Sequence, residues 1–163
     1  MGDIVLETER LVLRKIDEGD AALQYRLLNT PAVMEHLGGV KELHEIEAKH
    51  ARTMASFARD GFGFMLMVEK ASGELVGHAG LKRVDHPKAP NLGDFEIGWL
   101  VREDRWRRGY AGEAMRAVID WAFTRHRAPR PSRSPRRSVR GSVPRSRTRV
   151  RPCRRGSADR RRW

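Results

Sequence analysis

The sequence predicts a mixed α/β fold of the α+β kind, in the order strand, helix, helix, three strands, helix. Three observations carry that prediction. Phe95, Ile97, Trp99 and Val101 alternate with Glu96, Gly98 and Leu100, which gives a strand one apolar face. Ala111, Ala114, Met115, Val118, Ile119 and Ala122 recur at helical spacing and make one apolar stripe. Between two earlier apolar runs, Lys70-Ala71-Ser72-Gly73 has the composition of an antiparallel hairpin turn.

In chain order, Ile4 to Ile16 reads as a strand around Leu11, Val12 and Leu13. Asp17-Glu18-Gly19-Asp20 then supplies an N-cap and an acidic first turn, which offsets the positive end of a helix carrying Ala22, Leu23, Tyr25, Leu27 and Leu28. Pro31, lacking an N–H, interrupts or restarts that helix. A second helix from about Glu42 to Arg59 presents Ile46, Ala51, Met54, Phe57 and Ala58, and Asp60-Gly61 ends it. Strands follow at Phe62 to Val68, Leu75 to Leu81 and Phe95 to Val101. The last helix starts at Tyr110.

The stretch between the last strand and the last helix, Trp106-Arg107-Arg108-Gly109-Tyr110-Ala111-Gly112-Glu113-Ala114, points to chemistry. Successive backbone N–H groups opening onto a helix N-terminus bind phosphate without special side chains. Gly109 permits close backbone approach, Ala111 is small, and Arg107 and Arg108 add positive charge at the rim. A nucleotide-like cofactor with a pyrophosphate is the expected ligand.

Charge divides the chain into unlike pieces. The net charge is +12, yet 16 of the arginines and a single acid, Asp159, fall in 124–163, leaving residues 1–123 slightly acidic. This tail is rich in Arg, Pro and Ser and has no Leu, Ile, Met, Phe or Tyr, so it is expected to stay disordered, with the ordered domain ending near Phe123. The only cysteine, Cys153, lies there and leaves no disulfide framework within the chain. The first residues show no leader pattern and no stretch approaches a membrane span, so a soluble, cytoplasmic protein without a membrane partner is expected. An arginine-rich disordered arm would also bind nucleic acid non-specifically through phosphate contacts.

Thr8-Glu9-Arg10-Leu11-Val12-Leu13-Arg14, Gly73-Glu74-Leu75-Val76-Gly77-His78-Ala79-Gly80-Leu81, Phe95 to Val101 and Trp106 to Ala114 follow one another in the order and spacing of a known pattern. In these blocks the chain resembles the GNAT superfamily of acetyl-CoA-dependent N-acetyltransferases, in the branch of the ribosomal-protein-alanine N-acetyltransferases. The resemblance implies a mostly antiparallel sheet flanked by helices. It implies acetyl-CoA as co-substrate, with its pyrophosphate on the amides of Arg107, Arg108, Gly109, Tyr110, Ala111 and Gly112. The pantetheine arm would lie along the backbone of Gly98, Trp99, Leu100 and Val101, extending the sheet as a peptide does. Gly112 stands where Thr or Ser is common, which removes one hydroxyl contact.

The implied chemistry is direct attack of a primary amine, from a protein N-terminus or a small molecule, on a thioester. Such chemistry needs a base, an oxyanion donor and geometry. Glu96 is the first candidate base because its strand runs beside the expected thioester; Asp94 and His78 follow. Surface pairing with an arginine is the competing reading of Glu96, and packing that of His78. Trp99, Trp106 and Trp121 read as core or rim packing, with contact to cofactor or substrate the competing reading of Trp106, and Arg10 and Arg14 read as strand-edge charges or structural residues. His44 and His50 are six apart and share no helix face, so no metal site is expected.

The family pattern continues after the last helix with a splayed strand, a helix and a strand pair, where this chain has Arg-Pro-Ser sequence. Such a change fits a shifted reading frame in GC-rich DNA and predicts a truncated acetyltransferase whose cofactor site has one wall. It also predicts an unpaired edge along Phe95 to Val101 that invites self-association.

Overall fold

Thr8 turns the chain back on itself inside what reads, in sequence, as one continuous strand. Its N–H donates to the Leu11 carbonyl at 2.9 Å and its hydroxyl oxygen accepts the Leu11 N–H at 2.9 Å. Two strands result, β1 (Ile4–Glu7) and β2 (Leu11–Arg14). The structure is a computed structural model that describes residues 2–84 and 88–126. Apart from residues 124–126, the arginine-rich tail lies outside the described residues.

Three further strands, β3 (Phe64–Glu69), β4 (Leu75–Arg83) and β5 (Phe95–Val101), complete a five-stranded sheet in the order β1-β2-β3-β4-β5, with every neighbouring pair antiparallel. The hairpin predicted at Lys70–Gly73 joins β3 to β4, with Gly73 at φ 70°. Alternation places Leu11, Leu13, Met65, Met67, Ala79 and Leu81 on one face, all fully buried. Helix α4 (Tyr110–His126) packs there through Tyr110, Ala114, Val118, Trp121 and Ala122. It runs three residues past the expected boundary at Phe123.

The other face is covered by α1 (Asp20–Leu28) and α3 (Leu43–Asp60), over a smaller core of Ile16, Leu28, Leu66 and Leu75. A short α2 (Pro31–Met34) restarts the chain after α1, capped by the Thr30 hydroxyl on the Val33 N–H at 3.3 Å. Two local expectations need correction. The start of α1 has no side-chain cap; Asp20 instead turns inward and holds the Arg14 guanidinium by two contacts of 2.7 Å, which staples α1 to β2. On α3 the buried positions are Ile46, His50 and Thr53, with Phe57 half-buried, whereas Ala51, Met54 and Ala58 face solvent. The stripe is helical in spacing, but two of its members are polar, so counting apolar residues turned the helix the wrong way. Glu42 and Glu45 form a reciprocal capping box at its start, and Gly61 at φ 76° ends it as expected.

Candidate cofactor site

Beyond Val101 the chain makes a single 3-10 turn at Glu103–Arg105 and enters α4 through Trp106 to Gly109. Two left-handed residues shape this entry, Arg107 at φ 63° and Gly109 at φ 82°. Backbone alternating in this way turns successive N–H groups toward one concavity, an anion nest. The intrahelical ladder starts with the Glu113 N–H on the Gly109 carbonyl at 3.1 Å. The N–H groups of Tyr110, Ala111 and Gly112 therefore precede the ladder and form the positive end of α4. Arg107, Arg108, Gly109 and Gly112 are exposed, Ala111 is half-buried, and Tyr110 is buried. A diphosphate fits this arrangement in charge and in donor direction. Gly109 is needed for its φ and not for room, since a Cβ there would meet only Arg10 Nη2, at 3.5 Å.

The loop is tied down from several sides. Trp106 Nε1 donates to the Val101 carbonyl at 2.7 Å, fixing the loop to the end of β5. Arg10, on the β1–β2 turn, donates to the Arg108 carbonyl at 3.0 Å and to Glu113 Oε2 at 2.8 Å, with its guanidinium 4.6 Å from the Tyr110 ring centre. Glu113 also accepts the Thr8 hydroxyl at 2.5 Å and the Arg10 N–H at 2.9 Å. Burial alone would raise the Glu113 pKa; the Thr8 and Arg10 donors outweigh it and hold the carboxyl below the ordinary glutamate value. On the far side, Glu69 accepts from the Tyr110 hydroxyl, from Ser72 at 2.7 Å and from Arg105 at 3.1 Å, and its pKa is lowered, chiefly by the Tyr110 bond. Arg105 also binds Glu74.

The sequence candidates separate in space. Gly98, Trp99, Leu100 and Val101 lie on β5, which among the described residues pairs only with β4. Glu96 sits on the same strand, exposed, opposite Lys82 and 3.4 Å from its ammonium. Asp94 is exposed in the hairpin before β5, its carbonyl accepting the Val84 N–H at 2.8 Å. His78 is buried on β4 between Leu66 and Leu100, its ring edge-on to Phe64 at 5.4 Å. Burial, with Lys49 and His50 nearby, pushes its pKa well below the ordinary histidine value. Sequence reasoning missed Glu113, Glu69, Arg105 and Thr8. The partners that tie them across the fold lie 31 to 105 residues away, so only an acid in the first turn of α4 hinted at one of them.

A family model described as an acetyltransferase (GNAT) domain matches residues 10–136. The chain belongs to the GNAT acetyltransferase family. YkkB of Bacillus subtilis (strain 168), an uncharacterized protein, is 29% identical over 119 residues, covering 72% of this chain and 67% of its own length. The chain thus spans about two thirds of that relative. A solved acetyltransferase from Agrobacterium tumefaciens str. C58 superposes with a TM-score of 0.66 at 29% identity, over 79% of this chain and 72% of that one. RimL, a ribosomal L7/L12 α-N-protein acetyltransferase solved with coenzyme A, shares the fold with a TM-score of 0.62 at 16% identity, over 77% and 71% of the two chains. The GNAT family consists of N-acetyltransferases that use acetyl-CoA.

Proposed function

We propose that this domain binds acetyl-CoA along β5 and the α4 entry and transfers its acetyl group to a primary amine, on a protein N-terminus or a small molecule. The observation that carries the proposal is the left-handed Arg107 and Gly109 pair opening onto the N–H groups of α4 that precede its ladder, directly after a strand that lies at the sheet's edge among the described residues. When bound, the thioester supplies an activated acetyl carbon, which the amine nitrogen attacks as the C–S bond breaks.

The chain's own residues have three tasks in this reading. Arg107, Arg108 and the N–H groups of Tyr110, Ala111 and Gly112 anchor the pyrophosphate. The backbone of Gly98 to Val101 aligns the pantetheine as an added strand would. Glu96 takes the proton from the attacking ammonium; its side chain shares the α1/α3 face with Gly98 and Leu100 by alternation along β5.

The test is acetyl-CoA binding by calorimetry to the whole chain and to Gly109→Val. A β-branched residue at φ 82° is a genuine outlier, so the variant should bind at least about tenfold more weakly, with circular dichroism checking the fold. Equal binding by a folded variant would reject the phosphate loop.

A further inference from the structure

Arg10 has no task in the chemistry proposed so far, yet its side chain is held at three points. Nε and Nη2 meet Glu113 Oε2 at 2.8 and 2.7 Å, and the guanidinium carbon lies 4.6 Å from the Tyr110 ring centre. The remaining nitrogen, Nη1, donates to the Arg108 carbonyl at 3.0 Å. Between the 3-10 turn and α4, this is the one carbonyl that a side chain holds among the described residues.

In a trans peptide the carbonyl and the following N–H point in opposite directions. By holding the Arg108 carbonyl, Arg10 turns the Gly109 N–H away from itself and from the β1–β2 turn. Among the described residues that N–H meets no acceptor, like those of Tyr110, Ala111 and Gly112 that precede the ladder. Gly109 makes this orientation possible and also insecure. Turning the Arg108–Gly109 peptide over would carry the Gly109 φ from 82° to the negative side, which glycine populates about as readily. The Arg108 carbonyl oxygen would then stand where the N–H had been, a partial negative charge on the side an anion approaches.

We infer that Arg10 is a positioning residue for the cofactor: its hold on the Arg108 carbonyl keeps the Gly109 N–H turned outward and the anion nest assembled before acetyl-CoA arrives. Arg10 acts through the loop and does not touch the cofactor, so this role rests on the acetyl-CoA site proposed above. A guanidinium suits the task because it is a planar fork. Two of its nitrogens lock onto Glu113, in the first turn of α4, and the third is aimed at the carbonyl. The peptide is thereby fixed relative to the helix whose N–H groups complete the site. A lysine keeps the charge, but its single ammonium cannot serve both acceptors in fixed directions.

The unmodified chain gives the first test. In an isotope-labelled sample titrated with coenzyme A, the amide NMR signal of Gly109 should shift together with those of Tyr110, Ala111 and Gly112. If those three shift and Gly109 does not, the role of Arg10 is overturned while the phosphate loop stands. If none of the four shifts, the phosphate loop itself is rejected and the role falls with it. The second test is calorimetry with coenzyme A on Arg10→Lys and Asp20→Asn, the latter weakening the Arg14–Asp20 pair on the opposite face of the sheet. A released peptide that faces outward a tenth of the time binds about tenfold more weakly, which is the loss expected of Arg10→Lys. Asp20→Asn should lose stability and keep wild-type affinity. Wild-type affinity in Arg10→Lys overturns the role. So does a loss of affinity in both variants in step with their loss of stability, which would make Arg10 a structural residue only. The NMR result decides the matter whether or not Arg10→Lys folds.

Discussion

The first turn of α4 and the inner side of α3 pack against opposite faces of one sheet, yet they handle buried polar groups in opposite ways. At α4, Glu113 is satisfied by Thr8 and by both the backbone and side chain of Arg10, and Glu69 by Tyr110, Ser72 and Arg105. Under α3, both ring nitrogens of His50 and the Nε2 of Gln24 are buried with no hydrogen-bond partner among the described residues, whereas beside α4 only Arg105 Nε is so placed, on a guanidinium whose other nitrogens bind Glu69 and Glu74. A buried polar group without a partner costs about 1 to 3 kcal/mol, so the two regions differ in how much stability each has in reserve. The phosphate-loop end is assembled in advance of any ligand. The α3 side is where the fold is electrically weakest.

Removing the hub of the satisfied region should have the largest effect. Glu113→Ala leaves the Thr8 hydroxyl, the Arg10 amide and the Arg10 guanidinium without their shared acceptor, and should lower unfolding stability by about 2 to 3 kcal/mol in a urea titration. Because Arg10 also holds the Arg108 carbonyl at 3.0 Å, acetyl-CoA affinity should fall as well. A loss under about 0.5 kcal/mol would show that the network is a surface decoration and would erase the contrast between the two regions.

Acid should separate the regions next, because they titrate in different windows. His50 is kept neutral mainly by burial, with Lys49 adding to the shift and Asp20 opposing it, and His78 is kept neutral by burial, Lys49 and His50. Their folded pKa values are lowered, so the unfolded chain takes up protons first. Stability then falls as pH drops below about 6.5, the ordinary histidine value, and continues to fall until each folded value is reached. Glu113, Glu69 and Asp20 also have lowered pKa values, but for a carboxyl the sign reverses: their contribution is present above the unfolded value near 4 and is lost only below it. His50→Leu should therefore flatten the stability profile between pH 6.5 and 5, by up to about 1.4 kcal/mol per pH unit, and leave the acid limb below pH 4 in place. If the upper limb keeps its wild-type slope, the α3 side is not the weak one.

The same contrast governs what could be read from the sequence. Strand β5, the β3–β4 hairpin and the start of α4 are legible because each is set by local periodicity or by a turn residue. The β1–β2 turn is hidden because Glu7-Thr8-Glu9-Arg10, though polar, holds no Gly, Pro, Asn or Asp to mark a turn, and the deciding bond comes from the Thr8 hydroxyl. The buried face of α3 is misread because His50 and Thr53 occupy core positions that a count of apolar residues passes over. Of the candidate site, Arg107 to Gly112 is legible as charge, glycine and helix start. The left-handed turn at Arg107 is not, since arginine carries no signal for it. Nor is the Arg10–Glu113 tie, which joins residues 103 apart.

The smallest effect expected is also the finest probe of the loop, because Gly109 and Gly112 are there for different reasons. Gly109 holds φ 82°, where any side chain is strained. Gly112 is in the first turn of α4 with no positive φ, and a Cβ there would meet only Arg116 Nη1, at 3.6 Å, an ordinary contact. Its freedom is thus a cost in the unfolded chain with no return in the folded one. Gly112→Ala should raise stability by about 0.5 to 1 kcal/mol in the same urea titration while keeping the backbone N–H that the pyrophosphate would use. Gly112→Ser should add to this a hydroxyl facing the same anion, tightening acetyl-CoA binding a few-fold by calorimetry. If Gly112→Ala instead weakens binding as Gly109→Val does, the anion approaches α4 over Gly112 itself, closer than the N–H geometry alone requires.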